Sequence, residues 1–340
     1  MSTETSDLLL EIGVEELPAS FVEGALRALP ELAQKRFAEL RLAYQAIRAY
    51  GTPRRLALVV QGLASRQPDL AEEVTGPPVK AAFKDGVPTK AAEAFAAKLG
   101  CAVADLRRVE TPKGEYLVGT RREAGQSAIA LLSGRQGALA QIALAIPFRK
   151  SMRWGSGEVP FGRPIQWVVA LLGEQLVDLE IAGIKSHRAS RGHRFLASQA
   201  VQIPTASSYL EVLRQAHVLV DPEERARVMQ ERLEAAAKAA SGTLIEDDFL
   251  VHENLSLVEE PHVVAGGYDA EFLELPERVI LEVAKGHQRY FGVRAADGRL
   301  LPRYLAVVNT ALAPENVRLG NDRVMRARLA DARFFYRTDR

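Results

Sequence analysis

The stretch "IRAYGTPRRLALVVQGL", Ile47–Leu63, reads as two strands turned about Gly51-Thr52-Pro53. With no helix between them, two such strands pair antiparallel. Upstream, "LLLEIG" (Leu8–Gly13) reads as a buried strand, and residues 18–40 read as a helix kinked or restarted at Pro30. A strand, a helix and then a hairpin do not alternate as a doubly wound sheet does. The order predicts an α+β fold.

Working outward, Arg66–Lys90 is rich in Pro, Gly and charge and reads as linker and turns. A short helix follows over 89–100, with Thr89 as N-cap, Phe95 and Leu99 on one face and Gly100 as the stop. Residues 114–123 read as a strand, and 127–146 as a helix weakened by its glycines. "RPIQWVVALLG" (163–173) and "LVDLEIAGI" (176–184) read as strands. The texture changes near residue 204. Residues 221–242 give the clearest helix, with Asp221 as cap, Pro222 at the first position, Glu224 completing a capping box and Gly242 at the end. A hairpin over 289–309 turns at Asp297-Gly298, and an arginine-rich helix finishes the chain. The expected architecture is multi-domain, with largely antiparallel sheets and packed helices. Its core is 1–63 with 147–203, 64–146 is an inserted α/β segment, and 204–340 is a second α+β region.

Composition bounds the function. The chain has 340 residues, 47% of them hydrophobic and 26% charged, which suits two or three globular domains. A net charge of +1 argues against wholesale coating by nucleic acid but leaves room for a local basic patch. Cys101 is the sole cysteine, so an intrachain disulfide or a cysteine zinc site is excluded and a reducing compartment is expected. No signal peptide is read at the start, and no apolar run approaches the roughly 20 residues that span a bilayer. The expected location is the cytoplasm, with no membrane partner. The chain shows no P-loop, no G-x-S-x-G elbow and no H-E-x-x-H. Gly155-Ser156-Gly157 meets Pro160 where a dinucleotide fingerprint needs glycine. His187 and His193, if extended, lie about 20 Å apart, too far to share a metal. Glu11, Glu15 and Glu16 fit either a site or ordinary ion pairs.

Four basic groupings stand out against this neutral background. "HRASRGHRF" (His187–Phe195) has three arginines, two histidines and no acid. Read as a strand, it puts His187, Arg191, His193 and Phe195 on one face and Arg188 and Arg194 on the other. In "FRKSMRWG" (148–155), Arg149, Lys150 and Arg153 interleave with Phe148, Met152 and Trp154, a mixture that suits phosphates and unstacked bases. Arg54 and Arg55 can fork onto phosphates or pair with Glu15 and Glu16. "KGHQRYF" (285–291) adds His287, Gln288 and Arg289. The last helix sets Met325, Leu329, Ala332 and Tyr336 on one face, and Arg323, Arg326, Arg333 and Arg337 on another. Unaided, these residues indicate an α+β protein that binds a polyanion.

The same residues carry a resemblance. "EIGVEELP", "TPRRLALVV", "GPPVKAAF", "PTKAAEAFA", "KGEYLV", "MRWGSGEVPFGRPIQWVVALLG", "RGHRF", "GHQRYF" and "GNDRVMRARLADARFFY" follow one another as in the beta subunits of the bacterial two-subunit glycyl-tRNA synthetases. Gln166 stands where that family commonly has histidine. Family members are about twice this length, so the chain resembles a shortened version without the later helical and anticodon-binding domains. The resemblance implies a non-catalytic subunit that binds tRNA-Gly beside an alpha subunit in a heterotetramer. The alpha subunit would hold ATP and magnesium, and this chain would bind no cofactor itself. The expected tRNA contacts are Arg54, Arg55, Lys150, Arg153, Trp154, Arg188, Arg191, His193, Arg194, His287, Gln288, Arg289 and Arg326. An assembly scaffold without direct tRNA contact is the alternative. A stand-alone enzyme on a small anion, using the histidines with Glu15 or Glu16, is the third reading.

Overall fold

The structure, a computed structural model, describes residues 4–154 and 157–339. Gly155 and Ser156 of the rejected glycine cluster lie outside the described residues. The chain divides into two compact units. One comprises Phe37–Ala43 and Ala64–Leu131 with Glu4; the other comprises Thr5–Arg36, Tyr44–Leu63 and Leu132–Arg340. The α+β class holds, with antiparallel pairing dominant.

The larger unit is built on a seven-stranded sheet. The strand Thr5–Val14 pairs antiparallel with Ile165–Leu172, and Ala46–Thr52 pairs antiparallel with Arg55–Ala64. Only a short contact, Ser186 and His187 against Val168 and Val169, is parallel among the register pairs of this sheet. The last seven residues of Thr5–Val14 are all buried, which explains why apolar residues flank Glu11 without alternation: both faces are covered. Leu9, Ala57, Trp167, Val169, Leu171, Tyr209, Leu213 and Val218 form the core on one side of this sheet. Gly13 opposes Trp167, and a Cβ there would lie 1.9 Å from the indole. Gly13→Ala must displace that ring from a packed core. We expect a loss of about 1–3 kcal/mol, read by urea unfolding.

A second sheet in the same unit has four antiparallel strands, with His262–Gly267 and Leu300–Val308 among them. The Asp297-Gly298 turn sits between Phe291–Arg294 and Leu300–Val308 as expected, with Gly298 at φ +86°. The last helix, Pro314–Thr338, inserts Met325 and Leu329, both fully buried, with Ala332 and Tyr336 packed beside them. That is the apolar face read from the sequence; burying each large side chain is worth about 1.5–3 kcal/mol.

Several local expectations need correction. Pro30 does not restart the first helix, which runs Ala19–Glu39. Residues 127–146 form two short helices, Ala128–Leu132 and Ala138–Leu144, because Gly134 takes φ +86° between them. The helix Pro222–Ala239 is capped by Asp221, but Glu224 binds Arg214 instead of closing a capping box. The left-handed residue after it is Ser241, with φ +60°, and not Gly242. Its buried Arg225 donates to the carbonyls of Leu219, Gly51 and Leu255, and burial pulls the guanidinium down to about 10.

In the smaller unit the supposed linker is a strand, Leu70–Pro78, in a three-stranded antiparallel sheet with Gly114–Glu123 and Arg107–Thr111. Its helix Lys90–Leu99 packs Phe95 and Leu99 into the core and stops at Gly100, φ +67°. Thr89 precedes that helix, yet its hydroxyl donates to Ala81 and Ala82 and caps nothing. No helix among the described residues is long and apolar enough to cross a membrane.

Candidate nucleic-acid interface

The hairpin that decides the fold also delivers Thr52, Arg54 and Arg55 to a buried ionic cluster. The first strand contributes Glu11, the strand Ile165–Leu172 contributes Trp167, and the short strand Ala189–Arg191 contributes Ser190. Tyr209 comes from the helix Tyr209–Gln215, and Glu259 from the segment before the second sheet. Arg55 has no exposed surface. Its Nε and Nη2 donate to Glu259 Oε1 at 3.1 and 3.0 Å, and its Nη1 donates to Ser190 Oγ at 3.2 Å and to the Arg191 carbonyl at 2.7 Å. Glu259 also accepts from Thr52 Oγ1 at 2.7 Å and from Arg54 Nη1 at 3.4 Å. Glu11 accepts from Ser190 Oγ at 2.6 Å, Tyr209 OH at 2.5 Å and the Trp167 indole, with Arg55 3.6 Å away.

Electrostatics follow this geometry. Burial alone pushes the Glu259 carboxyl up, but Arg55, Arg54 and the Thr52 hydroxyl outweigh it and hold it below the usual carboxylate value. Burial also works against the Arg55 charge, yet Glu259 and Glu11 raise its value overall. Tyr209 is pushed well up by burial and by Glu11. His193 belongs to the same interior. Its Nδ1 accepts from the backbone N–H groups of Phe195 and Leu196, which puts the proton on Nε2, 3.1 Å from Asn309 Oδ1. Asn309 Oδ1 in turn accepts from the Glu259 N–H at 2.7 Å.

Three of the expected contact residues lie in this interior. Arg54 pairs with Glu259, and Arg55 with Glu259 and Glu11; neither pairs with Glu15 or Glu16 among the described residues. His193 is fully buried, because the strand Ala189–Arg191 ends two residues before it and the chain then turns inward. Arg55 and His193 have no exposed surface for a phosphate to meet, whereas Arg54 keeps 8%. Thr52, Tyr209, Glu259 and Asn309 are not singled out from the sequence, since nothing near them signals partners that lie from 50 to 207 positions away.

The remaining cations fall into two groups. Arg194 pairs with Glu16 at 3.0 Å and Glu15 at 3.7 Å, Arg289 with Glu253 at 3.1 Å and Arg326 with Asp269 at 3.1 Å. Arg333 and Arg337 reach Glu271 and Glu274. By contrast, Arg149, Lys150 and Arg153 are exposed and make no ion pair among the described residues. Arg191 is exposed with its guanidinium 4.8 Å over the Trp167 ring, and Arg188 is tied to the carbonyls of Pro204 and Glu174. His287 is exposed and Gln288 half-buried.

Arg163 donates to the Glu16 carbonyl at 3.2 Å while Arg194 holds the Glu16 carboxylate, so the segments that carry Arg163 and Arg194 meet at Glu16. The 285–290 segment is held instead by Asp247 and Glu253, and no hydrogen bond or ion pair among the described residues joins it to the other two. Among the described residues, no group of three or more His, Cys, Asp or Glu is arranged to hold a metal ion.

Comparison with known proteins gives one consistent set of matches. The family model described as glycyl-tRNA synthetase beta subunit matches residues 8–340. The glycine–tRNA ligase beta subunit of Moorella thermoacetica is 45% identical over 336 residues, covering 98% of this chain and 48% of that protein. The beta subunit of Myxococcus xanthus is 44% identical over 336 residues, 98% of this chain and 47% of its own. That of Anaeromyxobacter dehalogenans is 45% identical over 338 residues, 98% of this chain and 48% of its own. The chain thus spans about half the length of the curated relatives it matches.

Proposed function

The chain belongs to the glycyl-tRNA synthetase beta-subunit family, and from that premise we propose that it is a non-catalytic, tRNA-binding part of glycine–tRNA ligase. In this reading it positions tRNA-Gly for ATP-dependent glycylation by an alpha subunit, which holds ATP and magnesium. The observation that carries the tRNA role is the exposed cation set Arg149, Lys150 and Arg153, free of ion pairs among the described residues, with Arg191 exposed as well. Cations without counterions attract phosphate and release its condensed ions on contact. Arg194, Arg289 and Arg326 serve that surface less, being already paired with carboxylates. The buried Arg55–Glu259 cluster supports the surface from beneath without touching RNA. The test is direct binding of a tRNA-Gly transcript by filter retention, with and without an alpha subunit. Saturable binding supports the reading, and its absence in both arms contradicts it.

A second reading has its own observation. The helix Pro314–Thr338 exposes Leu319, Phe334 and Phe335, the last two by 65% and 62%. Such a face favours a protein neighbour, which suits an assembly role toward the alpha subunit. Phe334→Glu with Phe335→Glu is the variant that separates it: alpha-subunit capture is lost while tRNA binding persists. The stand-alone enzyme gains no support, since His193 bonds Asn309 and two backbone amides and no carboxylate.

A further inference from the structure

Resting on the tRNA-binding reading, we propose that the cavity at Trp154 receives one unstacked nucleobase of a single-stranded RNA segment, while the flanking phosphates lie on Arg149, Lys150 and Arg153. The cavity measures about 690 Å³, ample for a base and part of its ribose. Leu144, Val159, Pro164 and Ile165 form apolar walls, and Trp154 lies on its rim. The loop that carries Trp154 is pinned at its base: Met152 and Phe161 exchange two backbone hydrogen bonds, of 2.9 and 3.1 Å. Phe148 anchors the same segment against Phe161 and Phe21, at ring centroids of 4.8 and 5.5 Å.

Charge divides the ligand between cavity and rim. Arg135 lines the cavity but is neutralised by Glu180 at 2.9 Å. Glu158 also lines it and has no ion pair among the described residues, which leaves the cavity with one net negative charge. A phosphate is repelled there and drawn to the exposed cations just ahead in the chain. A neutral base is admitted, stacks on the indole and gives its exocyclic amine to Glu158. Adenine and cytosine carry such an amine. Uracil fits least, because its only donor is flanked by two carbonyls that a carboxylate repels.

The experiment measures anisotropy of labelled hexaadenylate, hexacytidylate and hexauridylate with the whole chain, and of tRNA-Gly alongside. Hexaadenylate and hexacytidylate are expected to bind several-fold more tightly than hexauridylate. Trp154→Ala is expected to weaken them by about 10-fold or more, and Trp154→Phe by only about 3-fold, since a stacking face remains. Leu144→Trp fills the cavity from an exposed position, so it carries the test should Trp154→Ala disturb the fold; it is expected to abolish oligonucleotide binding. Failure of the oligonucleotides to bind, or unchanged binding by Trp154→Ala and Leu144→Trp, overturns the inference. Equal affinity for all three overturns the role given to Glu158. Binding of tRNA-Gly without binding of oligonucleotides sinks the base pocket alone, whereas loss of both also sinks the tRNA-binding reading.

Discussion

Arg55→Met is expected to lower the unfolding free energy by about 3–5 kcal/mol at neutral pH, because it removes the cation shared by two buried carboxylates and leaves Glu259 only Arg54, at 3.4 Å, as counterion. In the native chain Arg55 satisfies Glu259 directly and lies 3.6 Å from Glu11, both carboxylates being buried. Methionine fills a similar volume but neutralises neither. The pH dependence has a definite sign. The Glu259 carboxyl is depressed in the folded chain, so its stabilisation is present above the unfolded value of about 4.3 and fades as pH falls through the lower folded value. In Arg55→Met burial dominates and pushes Glu259 up, so protonation relieves the variant while it weakens the parent. The gap between the two should narrow as pH is lowered from 7 to 4. Adding Glu259→Gln to Arg55→Met should restore part of the loss, a coupling that urea unfolding of all four members of the cycle reads directly.

The second large effect concerns RNA. Replacing Arg149, Lys150 and Arg153 together by alanine is expected to weaken tRNA-Gly binding about 10–100-fold near physiological salt, since each charged contact to phosphate is lost. Stability should hardly move, because these side chains are exposed and make no ion pair among the described residues. Arg289→Ala with Arg326→Ala removes two cations of similar exposure, yet these already hold Glu253 and Asp269. That pair should change tRNA affinity by no more than about 3-fold, because exposed ion pairs contribute little and the net charge removed from the RNA-facing surface is small. Equal losses in the two variants would mean that total charge, and not its pairing, governs binding.

Much of the fold was legible because local chemistry determines it. The apolar run of Leu8–Gly13, the Asp297-Gly298 turn and the Asp221-Pro222 helix start each act over a few residues. The strand Leu70–Pro78 is not marked by apolar alternation, because it is charged over Glu72-Glu73, none of its residues is fully buried and it ends in Gly76-Pro77-Pro78. The site was only half legible for a related reason. Arg55 and Glu259 lie 204 positions apart, and no window on the sequence shows that one neutralises the other. His193 looked like part of a cationic face, but the turn after Arg191 buries it. The segment with Arg149, Lys150 and Arg153 kept its expected character because no carboxylate of a distant element reaches it among the described residues. Clusters of like charge therefore had to be sorted by tertiary pairing before a function could be read from them.

The most direct measurement is the slope of log Kd for tRNA-Gly against log salt, taken for the parent chain and for the Arg149, Lys150 and Arg153 triple alanine variant. Each phosphate contact contributes about 0.9 to that slope on a duplex and about 0.7 on a single strand. The account predicts a steep slope for the parent and one shallower by about 2–3 for the variant. Identical slopes, or a parent slope near zero, would contradict it.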